Sequence, residues 1–264
     1  MKAAKDLIPK LFNWVKFKET YDLSEIELKL EDCQQVEQLQ LLNRQMKRYL
    51  QEKELLHIFQ DRKRIVNIDY VKFELIDAVI TADAPRSRNV MLGCSANGDL
   101  LDTKIIDQES IDVYIKSVLI PYLEENEVEF PVILIVDPQR IKLTWNTFKL
   151  CKEKEIFLFS PYSSFNQVVQ PFEVAVADVV DSYWKFYMDR KIEEQKSRAV
   201  RLCLSMMIEE FFEENVCQEY VRFAFKVCGI YPFDSTKIDF ENLINCCRKR
   251  TIQRDAPKTR NFII

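Results

Sequence analysis

Residues 131–140 read PVILIVDPQR, a run of branched apolar side chains that stops at one aspartate, Asp137, with a proline behind it. A run of this kind reads as a strand. Its ending has two readings. Asp137 is either a turn residue or a carboxylate held at the rim of a sheet for chemistry, and the residues alone leave both open.

The surrounding pattern supplies the sheet. Segments 64–69 (RIVNID), 74–83 (ELIDAVITAD) and 89–95 (NVMLGCS) read as strands. Asn97-Gly98 is a hairpin turn, because both residues tolerate positive φ, and LLDTKII returns as the next strand. Over 108–125, Ile111, Tyr114, Ile115, Val118, Leu119 and Leu123 recur on one helical face. Strand 131–137, a helix near 143–154, strand 156–160 (IFLFS), a loop and a helix from Val174 to about Arg201 follow. Strands first, then helix and strand in alternation, predict an α/β or α+β domain around a mixed sheet. Before this core, Val36, Leu39, Leu42, Met46 and Leu50 fall at three- and four-residue steps and predict one long amphipathic helix over 30–59. Residues 1–18 are basic with interspersed aromatics, which suits phosphate contact or a solvated helix docked by Leu11, Trp14 and Val15. After the core, 203–247 reads helical with a break at GIYPFD, and the tail 248–264 is basic.

Composition closes several routes. The 264 residues contain only 3 Gly, so a Gly-rich phosphate loop is absent. One His, His57, leaves little room for His-based catalysis, and its setting ELLHIF reads as a helix position. The 8 Cys include no CxxC pair, which argues against the usual zinc spacings and for free thiols in a reducing compartment. No apolar run approaches a membrane span. The net charge of −4 gives no general attraction to nucleic acid, so such a contact requires a local basic face.

Three carboxylates share one setting. Asp69 ends the first strand, Asp137 ends the strand after a helical crossover, and Glu173 sits where a loop meets a helix. If the first and fourth strands are neighbours, Asp69 and Asp137 stand side by side, and a helix across that edge brings up Glu173. Three clustered acids can hold two Mg²⁺ or Mn²⁺ ions, which activate a water and stabilise the leaving oxygen of a phosphodiester. Glu173 also suits a helix cap, where a carboxylate meets the dipole.

Residues 131–185 resemble the core of the pogo/Tigger/Jerky class of DDE transposases and of host proteins derived from them, such as centromere protein B. The shared elements are the strand ending in Asp137, Gln170-Pro171-Phe172-Glu173-Val174 with Trp184 downstream, AFKVCGIYPFD at 224–234, and Asn67-Ile68-Asp69. The likeness spans roughly 64–236. It implies an RNase H-like mixed sheet flanked by helices, with helical N- and C-terminal additions. It also implies metal-ligand ancestry for Asp69, Asp137 and Glu173. The departures are equally specific. Tyr70 and Val71 follow the first acid where the family has Glu and then Thr-Gly, and the stretch between the first two acids is shortened. Pro138, Gln139 and Arg140 stand where a small residue and a His are common, and the third acid is Glu in place of Asp. SPYSSFNQ at 160–167 replaces a Pro-Pro loop. Nothing before residue 64 reads as the tandem helix-turn-helix region that precedes the family's core.

The resulting expectation is a helical region at 1–62, an RNase H-like core at 63–202, a helical element at 203–247 and a basic tail at 248–264. The function expected by resemblance is that of a transposase-derived, catalytically degenerate nuclear protein associated with DNA or chromatin proteins. Two alternatives stand beside it: a working Mg²⁺- or Mn²⁺-dependent DDE endonuclease or transposase using Asp69, Asp137 and Glu173, and a protein-interaction scaffold. Arg248, Lys249 and Arg250 are the candidate phosphate contacts or import signal, and helix 30–59 is the candidate homodimer surface. Tyr231 and Phe233 are expected as packing anchors.

Overall fold

The computed structural model describes residues 44, 47–48, 50–52, 54–75, 87–104, 111–138, 140–159, 170–195 and 204–234. Five strands form one sheet: β1 (Ile65–Glu74), β2 (Ser87–Ser95), β3 (Leu100–Lys104), β4 (Val132–Ile135) and β5 (Ile156–Phe159), in the order β3-β2-β1-β4-β5. β1, β2 and β3 pair antiparallel, whereas β4 runs parallel to β1 and β5 parallel to β4. Hairpin turns can join the first three strands, but the parallel pairs require crossovers. Helix α1 makes the first, running through Ile111–Tyr114, Ile115–Leu119 and Ile120–Glu125; α2 (Trp145–Glu153) makes the second. This mixed sheet, flanked by helices on both faces, is the RNase H-like arrangement that the motif pattern implies.

Strand alternation divides the interior into two layers. Val66 and Ile68 of β1 and Val132 and Leu134 of β4 pack with Ile111, Ile115 and Leu119 of α1. Ile65, Val71 and Phe73 of β1 and Ile133 and Ile135 of β4 face the other way. That second layer is closed by α3, which runs through Glu173–Ala177 and Asp178–Gln195, and by α4 (Leu204–Asn215) and α5 (Gln218–Val227). Aromatic rings fill it. Trp184 meets Phe73 edge-on at 4.7 Å between centroids and Phe211 at 5.2 Å, and its Nε1 donates to the Glu74 carbonyl at 2.7 Å. Such edge contacts add about 0.5–1.5 kcal/mol each beyond area burial.

The chain is tied at both ends of this core. Tyr231 Oη donates to the Gln60 carbonyl at 3.3 Å and Phe233 packs on Phe59 at 4.9 Å, so both serve as packing anchors. The expected hairpin forms at Asn97-Gly98. Gly98 has φ +103°, and a Cβ there would lie 2.8 Å from the Gln218 carbonyl oxygen of α5, so only glycine suits the position.

Some expectations shift. The helix expected over 30–59 is helical at its described residues 44, 47–48 and 50–52, but the chain turns at Glu54, whose φ is +55°. Short 3₁₀ turns follow at Ile58–Gln60 and Arg62–Arg64. His57 is therefore an exposed turn residue, with Nδ1 at 2.6 Å from the Glu54 carbonyl. The first strand runs on past Asp69 to Glu74, because its pairing with β2 continues to Glu74↔Ser87. The separate strand expected over 74–83, the loop 160–167, the basic segment 1–18 and the tail with Arg248, Lys249 and Arg250 lie wholly or mostly outside the described residues. Among the described cysteines, Cys94, Cys151 and Cys228 are buried free thiols and Cys217 is exposed.

Candidate functional site

Register and alternation bring the first two acids together. β1 and β4 pair Ile65↔Ile133, Val66↔Leu134 and Asn67↔Ile135. Continued by two residues, that register sets Asp69 beside Asp137, neighbours across a strand spacing of about 4.8 Å. Asp69 lies at an odd position of β1 and so faces the α3 layer, and Asp137 follows two residues after the end of β4. Asp69 is 1% exposed and Asp137 3% exposed.

The third acid arrives through a polar clamp. Asn67, also on the α3 side, accepts from the Phe172 backbone N–H at 2.8 Å. Its Nδ2 donates to the Ile135 carbonyl at 3.1 Å and to Gln170 Oε1 at 3.4 Å. One buried amide thus binds β4 and the Gln170–Phe172 segment to β1. Phe172 is fully buried behind it, and Glu173, 2% exposed, follows directly. Glu173 lies in the wide first turn of α3, a π-helical stretch of the type that recurs at functional sites. An acid in this first turn suits the helix dipole, as expected of Glu173, and its carboxylate also reaches a side-chain partner.

It goes to Arg140. The Arg140 Nη1 donates to Asp69 Oδ2 at 2.8 Å and also to Glu173 Oε1. Its Nη2 donates to the Tyr70 carbonyl at 2.7 Å. The approach is set by the turn after β4: the Asp137 carbonyl accepts from the backbone N–H groups of Arg140 at 3.1 Å and Ile141 at 2.8 Å. Ile141 is buried, so the turn is held against the protein and the guanidinium folds back over the strand ends. The Arg140 side chain remains 35% exposed.

The electrostatics match a crowded acid pocket. Burial pushes the Asp69 carboxyl up to about 7. The Arg140 guanidinium and the Tyr70 N–H, which donates to Asp69 Oδ1 at 2.7 Å, pull it down, while the negative charges of Glu173 and Asp137 push it further up. Burial and like charges win, the pattern of carboxylates that share a site.

Asp69 and Glu173 therefore meet at one guanidinium, and Asp137 stands next to Asp69. Among the described residues, no three His, Cys, Asp or Glu side chains are arranged as a ligand set for a metal ion. An ion bridging the two oxygens that Arg140 binds would need to sit about 2.1 Å from each, in the space that Nη1 fills. With Arg140 in place, the residues do not fit a pair of divalent ions. Arg140 is the residue that sequence reasoning left out of the site. Its signal was present: Pro138, Gln139 and Arg140 follow the acid, where a small residue and a His are common in the family that the sequence resembles.

No family model matches the sequence, and no curated protein matches it. Among solved structures the chain is similar to the catalytic domain of Mos1 mariner transposase, at 11% identity over 82% of this chain and 95% of that one, with a TM-score of 0.45. It is also similar to the Mos1 mariner paired end complex with Mn (11% identity, 82% and 63% covered, TM-score 0.48). A pre-cleavage Mos1 transpososome gives 12% identity, 84% and 64% covered, and a TM-score of 0.44. The RNase H-like assignment stands on strand order and polarity.

Proposed function

We propose that this chain is a transposase-derived protein of the nucleus, of the pogo/Tigger/Jerky class, that holds DNA or chromatin proteins without cutting DNA. The observation that carries this reading is the Arg140 guanidinium shared by Asp69 and Glu173. Phosphodiester cleavage by clustered acids depends on divalent ions with an open position for water and for the leaving oxygen. A guanidinium neutralises charge and donates hydrogen bonds, but it offers no such position and does not acidify water. The motifs around Asp69, Asp137 and Glu173 supply the ancestry, and the replaced residues after Asp137 supply the loss. Contact with DNA falls to local basic segments, Arg248, Lys249 and Arg250 first, because the chain as a whole carries a net charge of −4. Among the described residues no helix is long and apolar enough to cross a membrane.

The test incubates the purified chain with linear and branched DNA in Mg²⁺ or Mn²⁺. The expected result is DNA retention that weakens as salt rises and as Arg248, Lys249 and Arg250 are neutralised, with no strand cleavage or joining above an Asp137→Asn control. Metal-dependent cleavage that disappears in Asp137→Asn would overturn the reading in favour of a working nuclease. Failure to retain DNA at low salt would remove the DNA-binding part of the reading.

A further inference from the structure

At the edge of the sheet opposite β5, the β2–β3 hairpin and α4 flank an open cleft of about 320 Å³. Its floor is apolar and includes Leu100, Phe212 and Val216. Its charged lining residues are all acidic: Asp99, Asp102, Glu209 and Glu213. Asp99 is engaged within the hairpin by Ser95, Asn97 and Tyr122. Asp102, Glu209 and Glu213 are exposed, and among the described residues no cation pairs with them. β3 is the last strand of the sheet, and among the described residues it pairs only with β2. An unpaired strand edge is a template for an extended peptide backbone. Like charges around one apolar cleft repel each other, so a cationic segment relieves them and the anionic backbone of DNA is turned away.

We propose that this cleft docks an extended segment of a partner protein, in which an apolar side chain is flanked by lysine or arginine. The apolar side chain fills the floor beside Leu100 and Phe212. The flanking cations meet Asp102 from β3 and Glu209 and Glu213 from α4. Glu209 and Glu213 stand one turn apart, so both carboxylates belong to one face of α4. Long basic side chains suit such a rim, because their stems cover apolar surface while their charged heads stay in water. The proposal deepens the reading in which the chain holds chromatin proteins and rests on it for the kind of partner. It names a basic segment as what such a protein offers, and it separates that contact from the DNA contact at Arg248, Lys249 and Arg250.

The test follows a fluorescent, end-capped peptide carrying one leucine among lysines, by anisotropy, on the whole chain at low salt. Binding that weakens as salt rises is expected. The double variant Glu209→Gln with Glu213→Gln is expected to weaken it about fivefold, the scale of two exposed ion pairs. Glu209→Lys with Glu213→Lys is expected to abolish it, as is glutamate in place of the peptide's lysines. Both positions are exposed, so the variants are expected to keep the wild-type Tm. If the charge-reversed pair folds poorly, the neutralised pair carries the comparison, and a neutralised pair that also unfolds defeats the proposal. No binding by wild type overturns it, as does equal binding by the neutralised pair. A peptide with glycine for leucine that binds equally well also overturns it, because charge alone would then explain the contact. Binding that appears only once Arg248, Lys249 and Arg250 are neutralised would give the cleft to the chain's own tail and overturn the partner assignment. Failure to retain DNA, or cleavage of it, would sink parts of the earlier reading instead, so the two failures are separable.

Discussion

Asp69 and Asp99 are carboxylates on the same sheet, and their surroundings drive them in opposite directions. Asp99 closes the β2–β3 hairpin, where it accepts from Ser95 Oγ at 2.9 Å, Asn97 Nδ2 at 3.0 Å and Tyr122 Oη at 2.7 Å. Burial alone would raise it, but the hydroxyl and amide donors of Tyr122, Asn97 and Ser95, with the Arg222 charge, outweigh burial and hold it below the usual carboxylate range. Asp69 has a backbone N–H and a shared guanidinium against full burial and two acidic neighbours, and rises to about 7. A carboxylate ringed by neutral donors ties a loop in place. A carboxylate massed with others is an unstable arrangement unless a cation joins it, and that need for a cation marks a site.

Substitutions can break or sharpen this contrast. The largest effect is expected at the clamp that assembles the acid pocket. Asn67→Ala strips partners from the buried Phe172 N–H and Ile135 carbonyl and should lower stability by about 3 kcal/mol, since each orphaned buried group costs about 1–3 kcal/mol. Urea unfolding measures it, and a loss under about 1 kcal/mol would mean that Glu173 is presented without the clamp. Next is Asp99→Ala, which deprives three donors of their acceptor. Because the site is half-buried and water can substitute, the expected loss is about 1–2 kcal/mol in the same assay. An unchanged midpoint would show that the hairpin is held without the Asp99 carboxylate, by its backbone bonds and the Arg222 contact to the Asn97 carbonyl. The smallest change is expected from Asp69→Asn. It loses the charge attraction to Arg140 but relieves repulsion from Glu173 and Asp137, so stability should stay within about 1 kcal/mol of wild type. A loss at Asp69→Asn exceeding that of Asp99→Ala would reverse the comparison and make Asp69 the structural carboxylate.

Much of the architecture was legible from periodicity. The Asn97-Gly98 turn and the helical face at Ile111, Tyr114 and Ile115 are local patterns, and local patterns survive into the fold because burial rewards them residue by residue. The expectation that the first and fourth strands are neighbours agrees with the β1–β4 pairing. Two features were not legible. The turn at Glu54 uses positive φ without the glycine or asparagine that normally announces it, so the long helix read straight through. The Arg140 contacts join residues 71 and 33 positions apart, and no spacing rule reaches that far.

The alternation of helix and strand after β3, the odd-position parity that aims Asn67 and Asp69 at one face, and the acidic candidates themselves were properties of the chain's own pattern, because side-chain alternation is dictated by backbone geometry. Which cation answers those acids was decided only in three dimensions. The β1–β4 register, the Asn67 clamp and the fold-back of the turn after Asp137 together bring one guanidinium to two carboxylates, and electrostatics at that range depends on distance and burial, which a linear sequence does not carry.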